Sequence, residues 1–362
     1  MIPTLTINLA TIRANYAFLK QTHARQSVAA VVKADAYGLG VANVSKALWE
    51  EGCRTYFVAT LEEGVELRKV LPDARIGVFN GLFAKQEKIF SRYRLTPVLN
   101  DVSQAERYCT KIVDLGPAFL HIDTGMTRLG LSMSDLRRAL DRSLIPDPRH
   151  LILMSHLACA NEHADSKNAE QLARFNEALA LLPGVRGSLC NSSGIFLPHS
   201  YHFDLARPGC ALYGINPTNT ENPMQAVARL SAPILQLRTL DRDETVGYSA
   251  TYEAAKGSRI AICGMGYADG WLRHLSGNGY AYIEGERVSI AGRVSMDMIA
   301  LDVSSVPEQK ITVDSRVEFI NEQQTVDDVA PAAGTIGYEI FTRIGNRVQR
   351  KYVTNQVIFG AA

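Results

Sequence analysis

The stretch "SVAAVVKADAYGLG", residues 27–40, joins a run of five apolar residues directly to a lysine, Lys33. Short unbroken apolar runs are typical of strands that are buried on both faces of a parallel sheet. Lysine is rarely buried without a partner, so its position at the end of such a run needs an explanation. We therefore interpret residues 28–32 as a buried strand and Lys33 as a candidate functional residue at its carboxyl end.

The same pattern recurs through the first two thirds of the chain. Helical apolar spacing separates most of the short apolar runs and is clearest at 166–182. Eight strands with helical crossovers predict a (β/α)8 TIM-type barrel over residues 8–224, with a doubly wound open sheet as the alternative. The seven further predicted strands lie at 56–59, 76–79, 96–99, 118–122, 151–155, 187–190 and 203–206.

Beyond about residue 225 the pattern changes. Strand-like runs follow one another without helical spacing, and turn sequences such as "SGNG" at 276–279 separate them. We predict a mainly-β domain over residues 225–362, completed by the N-terminal residues 1–7, with "PTNTENP" at 217–223 as the linker. The predicted strands lie at 233–240, 258–263, 279–283, 286–291, 297–303 and 316–320.

Composition narrows the functional classes. The chain has 362 residues and a formal net charge of +1, with no basic run and no long apolar stretch, so we expect neither a nucleic-acid nor a membrane partner. The N-terminus lacks the features of a signal peptide. The six cysteines are widely spaced, which predicts reduced thiols in a cytoplasmic protein and no metal site.

Polar residues follow five of the predicted barrel strands at their carboxyl ends, where barrel enzymes place their chemistry. "NSSG" and "RPGC" follow the seventh and eighth strands, the usual phosphate-binding position, and no Rossmann or P-loop motif is present. A strand-end lysine beside a phosphate site suits pyridoxal phosphate, but a phosphorylated-sugar aldolase uses the same parts. These residues are Lys33, Tyr37, Asp123, Arg128, His156, Asn191–Gly194 and Arg207–Gly209.

The motifs, taken together, resemble those of the alanine racemase family. Seven blocks match in order from about residue 5 to about residue 350: "AVVKADAYGLG", "HIDTGMTRLG", "NSSG", "LARPGCALYG", "VGYSATY", "GYADGW" and "GRVSMDM". The resemblance implies a pyridoxal phosphate-dependent racemase that supplies D-alanine for peptidoglycan and works as a homodimer with shared active sites. A broader racemase that also accepts serine is the alternative. A fold-related decarboxylase is the second alternative, but it would not use Arg207 or Tyr248.

The resemblance also implies individual roles. Lys33 would bond the cofactor aldehyde and act as one base, and Tyr248 of the partner subunit would act as the opposite base. Arg207 would contact the pyridine nitrogen, and His156 would link Tyr248 to Arg207 by hydrogen bonds. The remaining roles are phosphate and cofactor binding for Tyr37, Asn191, Ser192, Gly209, Cys210 and Tyr338, substrate carboxylate binding for Arg128 and the Met296 N–H, and an access channel at Tyr267, Arg273 and Arg293.

Physical chemistry agrees with a two-base site. Racemisation removes a proton from one face of the α-carbon and returns one to the other face. A tyrosine pKa of about 10 must be lowered for this task, and a cationic neighbourhood would do so. An arginine does not give up its proton at working pH, so a pyridine nitrogen beside Arg207 should stay unprotonated, which disfavours decarboxylation and transamination.

Three positions depart from the family pattern, and one of them is Cys210, which replaces the commoner aliphatic residue. His121 stands where members commonly have a carbamylated lysine that braces the arginine corresponding to Arg128. Our hypothesis is that a bound anion such as chloride, or a nearby carboxylate, braces Arg128 instead. Asn161 stands where many members have an acidic residue at the channel mouth.

Overall fold

The computed structural model describes residues 2–112, 116–145, 147 and 150–354. The chain divides into two compact units, residues 12–225 (the barrel unit) and residues 1–11 with 226–362 (the β unit). The last part of the predicted β domain, residues 355–362, lies outside the described residues.

The barrel unit contains a parallel sheet whose strands follow chain order. Six helices cover the crossovers between its strands, at Val41–Glu50, Leu61–Val70, Glu87–Arg92, Val102–Lys111, Met133–Asp141 and Ser166–Ala180, and Leu9–Thr22 precedes the sheet. This arrangement confirms the predicted barrel class. Numbered after β1 (Thr4–Asn8) of the β unit, the strands are β2 (Ala30–Val31), β3 (Thr55–Val58), β4 (Arg75–Val78), β5 (Thr96–Leu99), β6 (Ala118–His121), β7 (Leu151–Met154) and β8 (Arg186–Ser188).

The prediction of a regular eighth strand at 203–206 is wrong. Ala206 forms an isolated parallel bridge with Val28, ahead of β2. On the other side, the Asp204 N–H donates to a carbonyl oxygen of β8 at 2.8 Å. Pro208 has no N–H to continue a ladder, so an irregular segment closes the ring of strands.

Aromatic rings fill the middle of the barrel. The Phe57 ring stacks on Phe79 with centroids 4.9 Å apart and contacts Phe119 at 4.8 Å. Gly77 leaves the space for this ring, because a Cβ there would collide with Phe57. The barrel centre is therefore packed, and polar chemistry is confined to the strand ends.

The β unit is built around one long strand. This strand, β9, pairs with β12 along one half and with β16 along the other, so six strands close into a ring in the order β9-β16-β13-β14-β15-β12. β1 joins this sheet between β9 and β17. The strands are β9 (Ala228–Thr239), β10 (Glu244–Val246), β11 (Tyr252–Ala254), β12 (Arg259–Cys263), β13 (Tyr280–Ile283), β14 (Glu286–Ile290), β15 (Ile299–Asp302), β16 (Arg316–Ile320) and β17 (Gln349–Val353).

Several elements of the β unit were not predicted. The pairing of β1 with β17 joins segments more than three hundred residues apart, and no local sequence pattern predicts it. β10 and β11 form a separate two-stranded ribbon. Two short helices, Val326–Ala332 and Gly337–Arg343, follow β16, and the first contains a proline, which weakens the sequence signal for a helix.

A buried histidine pair lies in the barrel unit. His23 is fully buried and stacks on His202, with ring centroids 4.8 Å apart. The His202 Nδ1 accepts the backbone N–H of Ala24 at 3.0 Å, whereas neither ring nitrogen of His23 has a hydrogen-bond partner among the described residues. Burial, reinforced by His202 and Arg25, lowers the pKa of His23 to about 4.

This pair should make folding stability depend on pH. The unfolded chain takes up a proton at His23 near pH 6.5, whereas the folded chain resists it until about pH 4. We therefore expect the free energy of unfolding to be highest above pH 6.5 and to fall by up to about 3 kcal/mol on acidification to pH 4. Urea unfolding of wild type and His23→Phe at several pH values measures this, and the variant should lose less stability in acid. His163→Phe, at an exposed position, is the control; identical pH profiles for wild type and His23→Phe would refute the prediction.

Candidate active site

Lys33 is followed by an unusual turn. Ala34, Asp35, Ala36 and Tyr37 all have positive φ, between 52° and 57°. A left-handed conformation costs roughly 1–2 kcal/mol per residue for side chains with a Cβ, so the surroundings must hold this turn. Because both Lys33 and Tyr37 are attached to it, the turn sets the positions of two predicted site residues.

Glu63 holds the turn. One carboxylate oxygen accepts the Ala34 N–H at 2.6 Å, and the other accepts the Ala59 N–H at 2.7 Å. The same residue forms a capping box with Thr60 at the start of the helix Leu61–Val70. Glu63 was not predicted as a site residue. Its signal, the capping box in "TLEE", was present, but its bond across 29 residues to Ala34 is visible only in the folded chain.

Tyr37, Ser192 and Gly209 come together at the predicted phosphate site. The Ser192 Oγ accepts the N–H groups of Gly209 and Ala211 at 2.9 and 3.3 Å. A Cβ on Gly209 would collide with the Tyr37 hydroxyl, so glycine is required for this approach. Hydroxyls and backbone N–H groups are suitable partners for a phosphate, and the donor set therefore fits the phosphate of pyridoxal phosphate.

Asn191 and Cys210 flank these residues. The Asn191 side chain donates to the Leu157 carbonyl at 3.2 Å and accepts the Gly194 N–H at 2.9 Å, so it supports the loop that carries Ser192. Cys210 is buried and begins a short 3-10 helix directly after Gly209. Both residues are thus next to the donor set, and cofactor contact by either stays a prediction.

Arg207 is a buried cation, with 3% of its surface exposed. Its guanidinium donates to the Ser188 carbonyl at 2.8 Å, to the Ser188 hydroxyl and to the Ser155 carbonyl. Burial lowers the pKa of Arg207 to about 10, which keeps it protonated at neutral pH. Guanidinium has five N–H donors, so donors remain for a ligand atom such as a pyridine nitrogen.

The predicted hydrogen bond between His156 and Arg207 is wrong for this chain in isolation. Among the described residues, the His156 side chain has no hydrogen-bond partner, and Arg207 donates to Ser188 and Ser155 instead. A buried guanidinium needs strong acceptors, and the carbonyl oxygens at the strand ends supply them. Burial and then the charge of Arg207 lower the pKa of His156 well below its usual value, so its ring is neutral.

Arg128 lies on the loop after β6, and Asp123 shapes that loop. The Asp123 carboxylate accepts the N–H groups of Gly125 and Met126, both at 2.9 Å, and that of Thr127, so it holds the backbone of the loop. No carboxylate of the described residues pairs with Arg128, which overturns the carboxylate half of the bracing hypothesis; an anion such as chloride stays a hypothesis. Burial and the Arg128 charge lower the pKa of Lys33, while Glu63 opposes them.

Tyr248 belongs to the β unit, in the five-residue connection between β10 and β11. It is 72% exposed, far more than is usual for a large aromatic side chain. Gly247, Ser249 and Ala250 have positive φ, so the connection has a defined and strained shape. The base of the ribbon is fixed by the Tyr252 hydroxyl, which donates to Asp302 at 2.6 Å.

Arg293 and Met296 lie on one segment of the β unit, residues 291–298, beside Tyr248 and Tyr267. A Cβ on Gly247 would lie 3.5 Å from the Arg293 backbone N. The Ala268 N–H, next to Tyr267, donates to the Met296 carbonyl at 3.0 Å. The structure therefore brings Tyr248, Tyr267, Arg293 and Met296 to one region of the β unit.

Arg273 and Tyr338 complete the predicted set within the β unit. Ser276 joins Arg273 to segment 291–298: its hydroxyl donates to the Arg273 carbonyl at 2.6 Å and accepts the Val294 N–H at 3.0 Å. Tyr267 and Arg273 line a cavity of about 370 Å³. Tyr338 is half-buried in the helix Gly337–Arg343.

Comparison with known proteins gives a consistent result. The family model "Alanine racemase, N-terminal domain" matches residues 7–217, and "Alanine racemase, C-terminal domain" matches residues 227–352. The chain is 44% identical to the alanine racemase of Rickettsia peacockii over 97% of this chain and 99% of that protein. It is 45% identical to that of Brucella ovis over 96% of this chain and 93% of that protein.

Solved structures agree. The crystal structure of alanine racemase from Bartonella henselae, which has covalently bound pyridoxal phosphate, superposes with a TM-score of 0.91 at 37% identity, over 98% of this chain and all of that one. The biosynthetic alanine racemase of Pseudomonas aeruginosa gives a TM-score of 0.89 at 35% identity, over 97% and 99% of the two chains. Among the described residues, no helix is long and apolar enough to cross a membrane.

The role of Glu63 can be tested by Glu63→Gln. The Gln amide has one acceptor oxygen, and its nitrogen is a donor. It can therefore accept only one of the N–H groups of Ala34 and Ala59, and we expect the turn after Lys33 to be held less firmly. We expect retention of pyridoxal phosphate, read from its absorbance after dialysis, to weaken about tenfold or more, the scale of one hydrogen bond to a charged group. The control is Glu66→Gln, because Glu66 is exposed and pairs with Lys69. Equal retention in both variants would contradict this role.

Proposed function

The chain belongs to the alanine racemase family of pyridoxal phosphate-dependent isomerases, and we propose that it interconverts L-alanine and D-alanine with Lys33 and Tyr248 as its two bases. The observation that carries the proposal is the placement of Lys33 on a strained turn shared with Tyr37, whose hydroxyl meets Gly209 at the phosphate donor set. In this assignment the barrel unit carries the cofactor and the β unit carries the second base.

Lys33 and Arg207 supply the first half of the chemistry. When bound, pyridoxal phosphate withdraws electrons from the α-carbon of the amino acid and makes its proton removable. The lowered pKa of Lys33 favours its neutral amine, which is the form that can take a proton. Arg207 would donate a hydrogen bond to the pyridine nitrogen and, since it keeps its own proton, would leave that nitrogen unprotonated.

Tyr248 supplies the second base, from the partner subunit of a homodimer. Its exposure of 72%, on a connection of defined shape, suits a residue that completes a site on another copy of the chain. Tyr267, Met296 and Met298 are 42%, 53% and 47% exposed. Exposed aromatic and methionine side chains of this kind are typical of protein interfaces.

Arg128 and the Met296 N–H would receive the substrate carboxylate. The Arg128 guanidinium is exposed and has no hydrogen bond or ion pair with the described residues, so its donors are available. The Met296 N–H is likewise without a partner among them. A guanidinium binds a carboxylate through two parallel hydrogen bonds, which fixes the α-carbon as well as the charge.

We further propose a cytoplasmic setting in which the D-alanine serves peptidoglycan synthesis. The six cysteines form no disulfide, all of them being among the described residues, and four of them are buried, which suits a reducing compartment.

Exchange of the α-hydrogen tests the function directly. Purified protein incubated with L-alanine in deuterium oxide should lose optical rotation and yield α-deuterated alanine of both configurations, because each base exchanges its proton with solvent. Lys33→Ala should abolish both signals. Mass spectrometry and polarimetry measure them; carbon dioxide release, or no exchange in protein loaded with pyridoxal phosphate, would overturn the assignment.

Mixed dimers test whether the site is shared. Lys33→Ala and Tyr248→Phe should each be nearly inactive alone. If one subunit provides Lys33 and its partner provides Tyr248, subunit exchange in an equal mixture creates heterodimers with one intact site, for about one quarter of wild-type activity. The control is a mixture of Lys33→Ala with Arg287→Ala, a substitution at an exposed position of the β unit. This mixture shows how much activity remains when an active variant is diluted with an inactive one. A mixture of the two site variants that stays inactive would argue that both bases come from one chain.

A further inference from the structure

Two turns of the β unit, residues 266–270 and residues 295–298, are bonded to each other through their backbones. Two N–H groups of the first turn donate to the carbonyl oxygens of Ser295 and Met296, both at 3.0 Å. A Cβ on Gly266 would collide with the Met296 carbonyl oxygen, so the turns are in direct contact. The direction in which the Met296 N–H points therefore depends on the first turn.

Each turn carries one carboxylate close to this contact. Asp269, in the first turn, is 2% exposed, and its Oδ2 accepts the Gly266 N–H at 2.9 Å. Asp297 directly follows Met296, and half of its side chain is exposed. A buried carboxylate loses its hydration and requires further partners for its charge. Asp269 therefore needs a cation at Oδ1, the oxygen that accepts no hydrogen bond among the described residues.

Arg347, two residues before β17, supplies that cation and pairs with both carboxylates. Its Nε lies 3.0 Å from the Asp269 Oδ1, and its Nη1 donates to the Asp297 Oδ1 at 2.7 Å. Among the described residues, no other cation is within ion-pair distance of either carboxylate. Arg347 thus joins the turn that contains Asp269 to the turn that contains Met296.

The buried pair prepares the exposed one. An ion pair between two exposed side chains usually contributes little, because both side chains must be ordered to form it. Here Asp269 holds the guanidinium in place, and the backbone of Asp269 is itself fixed by the Gly345 N–H, which donates to its carbonyl oxygen at 2.9 Å. The guanidinium is planar and rigid, so fixing Nε also directs Nη1 toward Asp297. Arg347 therefore offers Asp297 a positioned partner rather than a mobile one.

We propose that Arg347 is a positioning residue that, through Asp297, holds the Met296 N–H in the direction that receives the substrate carboxylate. This inference rests on the proposed function, since it takes the Met296 N–H as a carboxylate-binding group. A hydrogen bond weakens steeply as its angle departs from linearity, so a small rotation of the Met296 peptide is enough to weaken binding. The carboxylate does not change its charge during proton transfer, so the loss falls on substrate binding and not on the chemical step.

Substitution of Asp297 tests the link without disturbing the buried pair. Arg347→Ala would leave Asp269 buried without a cation, which threatens folding itself, whereas Asp297→Ala removes only the exposed pair. For Asp297→Ala we expect the KM for alanine to rise about fivefold with little change in kcat, the upper range for an ion pair of this exposure. Asp297→Asn, whose amide oxygen can still accept from Arg347, should stay within about twofold of wild type. The control is Asp314→Ala, at an exposed position of the β unit.

Two small competitive inhibitors separate positioning from a general loosening of the site. Propionate has the carboxylate of alanine without its amine, and ethylamine has the amine without the carboxylate. In the holoenzyme, Asp297→Ala should raise the inhibition constant of propionate about fivefold and leave that of ethylamine unchanged. Equal weakening of both inhibitors would indicate a structural role only, and an unchanged constant for propionate would remove the role altogether.

Amide hydrogen exchange of the holoenzyme reports the link without any assay of activity. Mass spectrometry of peptides that cover 266–270 and 295–298 should show faster exchange in Asp297→Ala than in wild type or Asp314→Ala, because the two turns lose a connection. Unchanged exchange would overturn the inference even if the protein racemises alanine. If exchange rises as expected while alanine is not racemised, the link between the turns stands and the proposed function alone fails.

Discussion

A single hydrogen bond, from the Ala34 N–H to Glu63, underlies the arrangement of Lys33 and Tyr37. Four consecutive residues with positive φ would not hold their shape alone, because a right-handed or extended path is lower in free energy. The carboxylate also caps a neighbouring helix, so the strained turn is tied to a rigid element of the barrel. Lys33 and Tyr37 are placed by that connection, and the close approach of Tyr37 to Gly209 follows from it.

Positive charge at the site is left unneutralised by the described carboxylates. Arg207 is buried and donates to carbonyl and hydroxyl oxygens, and Arg128 has no hydrogen bond or ion pair with any described residue. This arrangement lowers the pKa of Lys33, His121 and His156 together, with burial as the largest cause in each. A site of this kind suits a ligand that brings its own negative charges, as a phosphate and a carboxylate do. His121 and His156, with their lowered pKa values, add no positive charge of their own to this region at neutral pH.

Local patterns predicted local structure well. The strands at 96–99 and 316–320 were predicted to the residue, because apolar runs bounded by turns carry that information. The family motifs singled out Lys33, Tyr37, Ser192, Gly209 and Tyr248, whose roles stay predictions. The structure brings Tyr37, Ser192 and Gly209 together beside the turn that follows Lys33. What failed depended on distance along the chain: the irregular segment at 203–206, the bond of Glu63 to Ala34, and the acceptors that Arg207 finds in place of His156. Each of these is set by neighbours that only folding brings near, so no spacing in the sequence contains them.

The β unit is formed by two segments of the sequence, residues 1–11 and 226–362. This division has a consequence for synthesis on the ribosome. β1 emerges first, with Leu5 and Ile7 among its five residues, yet its antiparallel partner β9 begins only at Ala228 and its parallel partner β17 only at Gln349. The entire barrel unit is therefore synthesised while both edges of β1 are unpaired. Unpaired strand edges can form hydrogen bonds with other chains. Closing these long-range contacts costs entropy, so we expect the pairing of β1 with β17 to form late in folding. We therefore expect β1 to be an unpaired edge, open to association with other chains, until β9 and then β17 pair with it.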